Sequence, residues 1–246
     1  MNKAVVSGLV VGLVWFAMTT STQAQDQSKI NVPKKKEIAM IIENIHWLGH
    51  DAFRIEDQGS QIYIDPWKIA TNAPKADYIF ITHSHFDHFS KEDIAKLTHA
   101  TTKIIGPADV AREIKQNATA MKPDQELTVD HLKVKAIPAY NIGKQFHPKD
   151  KNWLGFIITL SDGTTIYHAG DSDFIPEMKA LKVDVALLPV SGTYVMTADE
   201  AIQAANAFKP KVAIPMHYGE IVGSENDARK FKAGFQGETV IKKAER

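Results

Sequence analysis

The chain has 246 residues, with 29 lysines and arginines against 29 acidic residues, 10 histidines and no cysteine. A neutral chain is a poor partner for nucleic acid, because that binding depends on many contacts between basic side chains and phosphates. The lack of cysteine excludes disulfides, thiolate ligands and a cysteine nucleophile, so any metal ion must be held by His, Asp and Glu.

The N-terminal segment is predicted to be a cleaved signal peptide. Lys3 gives it a positive start, residues 4–18 are mostly apolar, and residues 22–24 are suited to signal-peptidase cleavage. The apolar run is short for a membrane span, which needs about 20 residues. We therefore expect a secreted or periplasmic protein that keeps no stable membrane span. The predicted division is a signal peptide at 1–24, a flexible lead-in at 25–37 and one domain at 38–246.

Short strand-like runs separated by turn residues dominate the rest of the chain. The predicted strands are 40–48, 52–56, 61–64, 78–82, 104–106, 126–130, 132–138, 153–160, 164–168, 185–188, 212–215 and one near Thr239. The predicted helices are 94–97, 108–115, 197–208 and 225–231. Strands open each half and helices alternate with strands later. This order predicts two stacked sheets with helices outside, an α/β fold of the αββα four-layer type in a single domain.

The run THSHFDH at residues 82–88 follows an apolar strand and is the strongest functional signal. Side chains two apart in an extended segment point the same way, so His83 and His85 can bind one ion as neutral imidazoles. Asp87 and His88 stand where the chain turns and can face a second ion. Imidazole suits zinc, and a mixed nitrogen and oxygen set also suits manganese or iron. The pattern predicts two divalent metal ions, with zinc preferred.

Two later strand ends offer further ligands. Asp171 follows the strand at 164–168, and its two oxygens can bridge both ions where a neutral imidazole cannot. His217 follows the strand at 212–215 and is a natural ligand of the second ion. The alternatives are that Asp171 is an ordinary aspartate of a turn and that His217 is a hydrogen-bonded histidine of the core. The positions at strand ends favour ligands.

Taken in order, these motifs resemble the metallo-β-lactamase superfamily, and more narrowly its branch similar to ascorbate-phosphate lactonase and N-acylphosphatidylethanolamine phospholipase D. The resemblance covers about residues 38–220, and its supporting runs are WLGH at 47–50, IDPW at 64–67, PAYN at 138–141 and YHAGD at 167–171. It implies a metal-dependent hydrolase of the αββα fold. The implied ligands are His83, His85 and a third group at one ion, and Asp87, His88 and His217 at the other, with Asp171 bridging.

The third ligand of the first ion is where this chain departs from the resemblance. Relatives often place a histidine in the stretch that here reads Ala139-Tyr140-Asn141, which contains no imidazole. Two interpretations remain open. In the one we favour, His147 reaches back to the ion. In the other, Asn141 takes the position weakly and His147 contacts substrate or supports a ligand.

Other residues are candidates for supporting roles. We expect His50 to lie beside the site and donate to a ligand or substrate, and His168 to orient a ligand. The candidate substrate contacts, on loops around the entrance to the predicted metal site, are Trp67, Phe86, Tyr140, Lys149, Tyr194 and Tyr218. No site role is expected for His46, His99 and His131.

The resulting hypothesis is an exported metal-dependent hydrolase of a small molecule with an ester-like bond, with a lactone or phosphodiester favoured. Two ions lower the pKa of a shared water so that metal-bound hydroxide exists near neutral pH, and they polarise the bond under attack. Asp87 and Asp171 would hold the hydroxide, and Asp87 could accept its proton. The alternatives are a β-lactamase-type amide hydrolase and a non-catalytic metal-binding protein of the same fold. The sequence specifies no oligomeric state.

Overall fold

The computed structural model describes residues 1, 39 and 42–245. Apart from Met1, the predicted signal peptide and the lead-in at 25–37 lie outside the described residues. Among the helices of the described part of the chain, none is long and apolar enough to cross a membrane.

The strands form two mixed sheets. The first sheet, in spatial order, contains β1 (Ile45–Gly49), β2 (Ala52–Asp57), β3 (Ser60–Ile64), β4 (Tyr78–Phe80), β5 (Lys103–Gly106) and β6 (Ala118–Ala120). β1, β2 and β3 pair antiparallel, and β4, β5 and β6 continue the sheet in parallel. The second sheet contains β7 (Glu126–Val129), β8 (Leu132–Pro138), β9 (Leu154–Thr159), β10 (Thr165–His168), β11 (Val185–Pro189), β12 (Val212–Met216) and β13 (Glu238–Thr239). Its strands β7 to β10 pair antiparallel, and β10 to β13 pair in parallel.

Helices cover the outer faces of both sheets. They are α1 (Lys91–Leu97), α2 (Ala108–Ile114), α3 (Ala198–Phe208) and α4 (Glu225–Gly234), with short 3-10 turns at Lys149–Lys151 and Pro176–Ala180. The start of α3 shows why the chain turns helical there, because Thr197 and Glu200 form a reciprocal capping box. Ser90 caps α1 in a similar way by accepting a hydrogen bond from the Asp93 N–H.

The side chains of β4 show how one strand serves two layers. Successive side chains of a strand point to opposite faces of its sheet. Tyr78 and Phe80 face the large core between the sheets, whereas Ile79 faces a smaller core shared with α1 and α2. α3 and α4 pack on the other side of the large core. The four layers are therefore helices, sheet, sheet and helices, and the predicted αββα sandwich is confirmed.

Most predicted elements lie within two or three residues of the observed ones. The strand predicted from residue 40 is wrong in its first part, because residues 42 and 43 are helical and β1 begins at Ile45. The short edge strand β6 and the 3-10 turn Pro176–Ala180 were not predicted. Neither carries the alternating apolar pattern on which a strand or helix prediction depends.

Backbone hydrogen bonds bring the ends of several strands to one edge of the sandwich. His217 N–H donates to His50 O at 3.0 Å, which joins the end of β12 to the end of β1. Leu154 N–H donates to Thr82 O at 3.0 Å, which joins the start of β9 to the segment after β4. Residues that follow β1, β4 and β12 therefore meet at this edge.

Gly170 lies in the turn after β10 and fits tightly against the first sheet. Its φ is +59°, and a Cβ there would lie 3.0 Å from both Thr82 Cβ and Leu154 O. Both the left-handed backbone and the close approach therefore require glycine. This contact fixes where the next residue, Asp171, leaves the sheet.

Gly170→Ala should destabilise the fold more than Gly163→Ala. Gly163 has a φ of +85° with nothing within 4 Å of its added Cβ, so its substitution isolates the backbone cost of about 1–2 kcal/mol. At Gly170 the crowding should add about 1–3 kcal/mol. Urea unfolding of both variants tests this, and equal losses of stability would show that the crowding at Thr82 is relieved at no cost.

Candidate metal centre

The imidazoles of His83, His85 and His147 converge where several strands end, and we call them the first set. His83 Nε2 lies 3.1 Å from His85 Nδ1, and His147 Nε2 lies 3.2 Å from the same His85 atom. Nitrogens that bind one zinc ion tetrahedrally lie about 3.3 Å apart, given a zinc–nitrogen distance of about 2.0–2.1 Å. The three ring nitrogens are therefore spaced as ligands of a single ion.

A second set of possible ligands, Asp87, His88 and His217, lies on the other side of Asp171. His88 Nε2 is 3.4 Å from Asp171 Oδ1, and His217 Nε2 is 3.4 Å from Asp171 Oδ2. His147 Nε2 is 3.3 Å from Asp171 Oδ2, so this carboxylate touches both sets. Asp87 Oδ2 lies 3.8 Å from His88 Nε2. The residues singled out after four different strands thus meet around one carboxylate.

Asp65 and Thr82 set the orientation of two imidazoles. The Thr82 hydroxyl donates to Asp65 Oδ2 at 2.6 Å, and it can then accept from His83 Nδ1–H at 2.9 Å. His88 Nδ1 lies 2.8 Å from Asp65 Oδ2 and donates to that carboxylate. With Nδ1 as the donor in both rings, Nε2 of each is the atom that faces the centre, and in the neutral ring it carries the lone pair that a metal ion needs.

Similar contacts orient the other two rings. His217 Nδ1 lies 2.9 Å from the Ser191 hydroxyl, which can accept its proton. The Asn141 side-chain amide nitrogen donates to His147 Nδ1 at 3.1 Å, and the Asn141 backbone N–H donates to His147 O at 2.8 Å. The backbone bond closes the loop 141–147 and returns His147 to the strand end. The structure therefore places an imidazole in the third position of the first set and Asn141 behind it.

Trp153 forms an apolar wall beside the first set. Its ring centroid lies 4.9 Å from that of His83, 4.8 Å from His85 and 5.5 Å from His147. Its Nε1–H donates to Asp109 at 2.9 Å, which fixes the ring. The three imidazoles are thereby packed on one side by a rigid aromatic group.

Several residues of the site have a left-handed backbone, which is rare outside glycine. Their φ angles are +51° at His50, +46° at Asp65, +54° at His147, +70° at Tyr194 and +58° at His217. Such conformations cost free energy and persist only where the surrounding structure imposes them. His50, Asp65 and His217 directly follow β1, β3 and β12, where the chain turns at the common edge.

Two imidazoles of the first set, those of His83 and His85, are held neutral. Burial lowers the pKa of His83 well below its usual range, and the nearby His88 acts in the same direction. Burial also lowers the pKa of His85, as does the neighbouring His147. A neutral imidazole keeps its lone pair available to a metal ion.

The second set attracts positive charge. Burial alone would lower the pKa of His88, but the charges of Asp171 and Asp65 raise it well above its usual range. Burial opposes the same change at His217, where Asp171 and Asp51 raise the pKa to about 9. Carboxylates thus create a strongly negative environment around two imidazoles, as a cation site requires.

The residues of both sets fit divalent metal ions. Among the described residues, the buried atoms His88 Nε2 and Asp171 Oδ1 have no hydrogen-bond partner. Buried unpaired polar atoms cost free energy, and a cation in contact with both would remove that cost. A set of imidazoles and carboxylates without thiolates suits zinc, manganese or iron.

The predicted supporting residues have different surroundings. His50 Nε2 lies 3.2 Å from Asp87 Oδ2, and His50 can join His88 and His217 around one point. His168 contacts backbone instead of a ligand side chain, since its Nε2 donates to Asp51 O at 2.9 Å and its Nδ1 accepts from Gly170 N–H at 3.1 Å. It therefore supports the turn that carries Asp171.

Tyr140 and Tyr194 lie on the two sides of Asn141. The Tyr140 hydroxyl donates to Glu177 at 3.0 Å, and Lys149 Nζ lies 4.5 Å from the Tyr140 ring. Tyr194 accepts a hydrogen bond from the Asn141 side chain through its backbone oxygen, and its ring is exposed. Of the two, only the Tyr194 ring is open to a ligand.

The remaining candidates separate into those near the histidines and those elsewhere. Trp67 packs edge-on against His50 at 5.5 Å and against the exposed Phe86 at 6.1 Å. Tyr218 is buried against Trp47. The three histidines without a predicted site role interact with carboxylates of their own, which are Glu245 for His46, Asp77 for His99 and Asp57 for His131.

Asp51 and Asp65 belong to the site although the sequence analysis did not single them out. Both are fully buried, and Asp51 lies with Asp171, His88 and His217 in a group of potential ligand atoms within 4.8 Å of one another. A signal existed for both, since Asp51 follows the WLGH run and Asp65 lies within IDPW. Their roles depend on partners from other strands, which no local pattern records.

Comparison with known proteins gives consistent results. Residues 44–217 match the model of the beta-lactamase superfamily domain. A UPF0173 metal-dependent hydrolase from Nanoarchaeum equitans is 36% identical over 199 residues, which cover 76% of this chain and 89% of that protein. The solved structure of a Parabacteroides distasonis protein has a TM-score of 0.73 and 31% identity, covering 82% of this chain and 93% of that one. The metallo hydrolase Igni18 from Ignicoccus hospitalis has a TM-score of 0.69 and 25% identity, covering 82% and 95%.

Thr82→Val should weaken metal binding about 10-fold or more, because it removes the hydroxyl that links Asp65 to His83. Thr102→Val is a matched control. Thr102 is equally buried and donates to Ala76 O at 2.6 Å, but none of its hydrogen bonds reaches a histidine of either set. Competition with a chelator of known affinity measures both variants. Equal zinc affinities in the two would contradict the orienting role of Thr82.

Proposed function

The chain is a metal-dependent hydrolase of the metallo-β-lactamase superfamily, and we propose that it is an exported enzyme that cleaves an ester-like bond with two divalent ions, preferably zinc. A lactone or a phosphodiester of a small molecule is the proposed substrate class. Its partners would not include nucleic acid, since the chain carries no net positive charge. The N-terminal pattern of residues 1–24 supports export to the periplasm or beyond.

The position of Asp171 is the observation that carries the two-ion proposal. Its Oδ2 lies 3.3 Å from His147 Nε2 and 3.4 Å from His217 Nε2, and its Oδ1 lies 3.4 Å from His88 Nε2. A carboxylate with imidazoles on both sides can hold two cations that a single imidazole set could not. His83, His85 and His147 would hold one ion. Asp87, His88 and His217 would hold the other.

When bound, such ions lower the pKa of water and withdraw electrons from the bond under attack. Among the carboxylates of the site, Asp87 is the one that solvent reaches, with 14% of its side chain exposed against 4% for Asp171. Although burial would raise the pKa of Asp87, the hydrogen bond from His50 lowers it, so the group is an ionised base at neutral pH.

Asp87 can therefore take the proton of the attacking water. For a lactone, the water oxygen bonds to the carbonyl carbon, and the bond from that carbon to the ring oxygen breaks. The proton held by Asp87 then passes to the departing oxygen, which becomes the hydroxyl of a hydroxy acid. His50 keeps Asp87 in position through a contact of 3.2 Å.

Asp87→Asn should lower kcat by about 10²–10⁴-fold, the usual contribution of a general base. The metal-loaded protein should be screened against lactones, phosphodiesters and a β-lactam, with zinc content measured beside every rate. Asp124→Asn is the matched control, since Asp124 is an exposed carboxylate in the turn before β7. If Asp87→Asn retains its zinc and hydrolyses the substrate as fast as the parent protein, the proposed mechanism is wrong.

His147→Ala should reduce bound zinc from two ions to one per chain, because the first set would lose one of its three imidazoles. His131→Ala serves as the matched control, since His131 interacts with Asp57 instead of with the centre. Elemental analysis after dialysis against a weak chelator distinguishes the outcomes. Two ions retained by His147→Ala, or two ions lost from Asn141→Ala, would transfer the third-ligand role to Asn141.

A further inference from the structure

The exposed large apolar side chains of this protein are unevenly distributed. Among the described residues other than Met1, those with the greatest exposure are Phe86 (70%), Ile142 (56%), Phe146 (45%), Ile221 (42%) and Tyr194 (37%). Single exposed apolar residues scattered over a surface need no explanation, whereas a group of them marks a binding surface. We call these five residues the apolar rim.

Every member of the apolar rim is connected to the metal centre. Phe86 stands between His85 and Asp87, and Phe146 directly precedes His147. Ile221 lies in the turn that follows His217. Ile142 follows Asn141 in the loop that ends at His147, and the Tyr194 backbone oxygen accepts a hydrogen bond from the Asn141 side chain. The rim is therefore linked to the candidate ligands by sequence or by contact with Asn141.

Contacts divide the apolar rim into two walls. On one side, the Phe86 ring packs edge-on against Trp67 at 6.1 Å, and Trp67 packs against His50. On the other side, the Phe146 ring packs edge-on against Tyr194 at 4.6 Å. Each wall is thus an aromatic pair held in a fixed geometry beside imidazoles of the centre.

The rim is apolar, and three lysines near it are ion-paired. Lys68 pairs with Glu220 at 2.7 Å, Lys144 with Asp173 at 2.5 Å, and Lys149 with Glu177 at 3.0 Å. A carboxylate within about 3 Å offsets much of the attraction that a lysine would exert on an anionic substrate. This surface therefore suits a neutral substrate better than one that carries a phosphate.

We propose that the apolar rim binds an alkyl or aryl group attached next to the scissile bond of a neutral lactone or ester. This inference rests on the proposed function, and within it selects the neutral substrate over the phosphodiester. One wall contacts His50, and the other contains the residue that precedes His147, so an occupant that contacts both walls extends over the centre. A small molecule does this when its ester group reaches the ligands and its apolar group contacts the aromatic pairs.

A series of γ-lactones that differ only in the alkyl side chain tests the proposal with the zinc-loaded full chain. From the methyl to the hexyl compound, kcat/KM should rise about 10-fold or more, mainly through a lower KM, because each added methylene removes apolar surface from water. Bis(p-nitrophenyl) phosphate should be the poorer substrate. Equal kcat/KM along the series, or faster cleavage of the phosphodiester, would overturn the proposal.

Serine substitutions locate the effect. Phe146→Ser and Ile142→Ser should each reduce the ratio of the hexyl to the methyl rate constant by about 3-fold or more. Ile157→Ser is the matched control, because Ile157 lines a hollow with Lys133, Lys135 and Leu181 on the outer face of the second sheet. Its ratio should equal that of the parent. The same ratio in all variants would separate the apolar rim from substrate choice.

A binding measurement distinguishes failure of this inference from failure of the proposed function. Alkyl hydroxamates chelate zinc without being lactones. Calorimetry with methyl and hexyl hydroxamates therefore measures the contribution of the rim to binding even if no ester is cleaved. The hexyl compound should bind about 10-fold more tightly. If no lactone or ester is hydrolysed but this difference is present, the proposed function fails and the apolar subsite stands. If hydrolysis is present but the difference is absent, the subsite fails.

Two other occupants of the apolar rim would give different results. A membrane surface would make the protein sediment with phosphatidylcholine vesicles, and Phe86→Ser would release it. A second copy of the chain would produce a dimer in sedimentation velocity, and the same variant would dissociate it. Either result would overturn the proposal, which expects Phe86→Ser to change neither measurement.

Discussion

Asp171 is a buried carboxylate surrounded by imidazoles, and the arrangement of the whole strand edge depends on it. His83, His88, His147 and His217 each place Nε2 within 3.3–3.9 Å of one of its oxygens. Burial would raise the pKa of Asp171, but the charges of His217 and His88 hold it well below its usual range. A charge buried in this way is tolerable only when positive groups surround it. The fold supplies them from three separate segments, the run 82–88 and the turns that carry His147 and His217.

The outer nitrogens of these rings, the Nδ1 atoms that point away from Asp171, are as important as the inner Nε2 atoms that face it. Asp65 accepts hydrogen bonds from His88 Nδ1 and from the Thr82 hydroxyl, and that hydroxyl can accept one from His83 Nδ1. Ser191 has the corresponding position behind His217. Because the Nδ1 atoms of His83, His88 and His217 each have a partner, the Nε2 atoms of these three rings are directed to the centre before any ion binds. Such preorganisation is what separates a metal centre from a cluster of histidines.

Much of the fold and of this centre could be predicted from the sequence, for a physical reason. The clustered histidines and aspartates follow buried strands here, and a strand that ends in histidine or aspartate is visible in a single sequence, as at His83, Asp171 and His217. The αββα order was equally readable, because apolar runs mark the strands. β6 escaped prediction because Ala118–Ala120 lies at a sheet edge and has no buried face.

The remaining parts of the centre depend on contacts between distant segments. The return of His147 requires the backbone bond from Asn141 to His147 O, and spacing alone could not choose between the two residues. Asp51 is buried beside ligands by the packing of the two sheets. The apolar rim is likewise a property of the assembled edge, since its members are scattered between residues 86 and 221.

The central claim is that two preoriented ligand sets share Asp171. Anomalous diffraction at the zinc edge, from crystals of the zinc-loaded protein, tests it directly. The account predicts two peaks, one within about 2.0–2.1 Å of His83 Nε2, His85 Nδ1 and His147 Nε2, and the other at a similar distance from His88 Nε2 and His217 Nε2. Asp171 should lie between the peaks. A single peak, or zinc bound through an outer nitrogen, would contradict it.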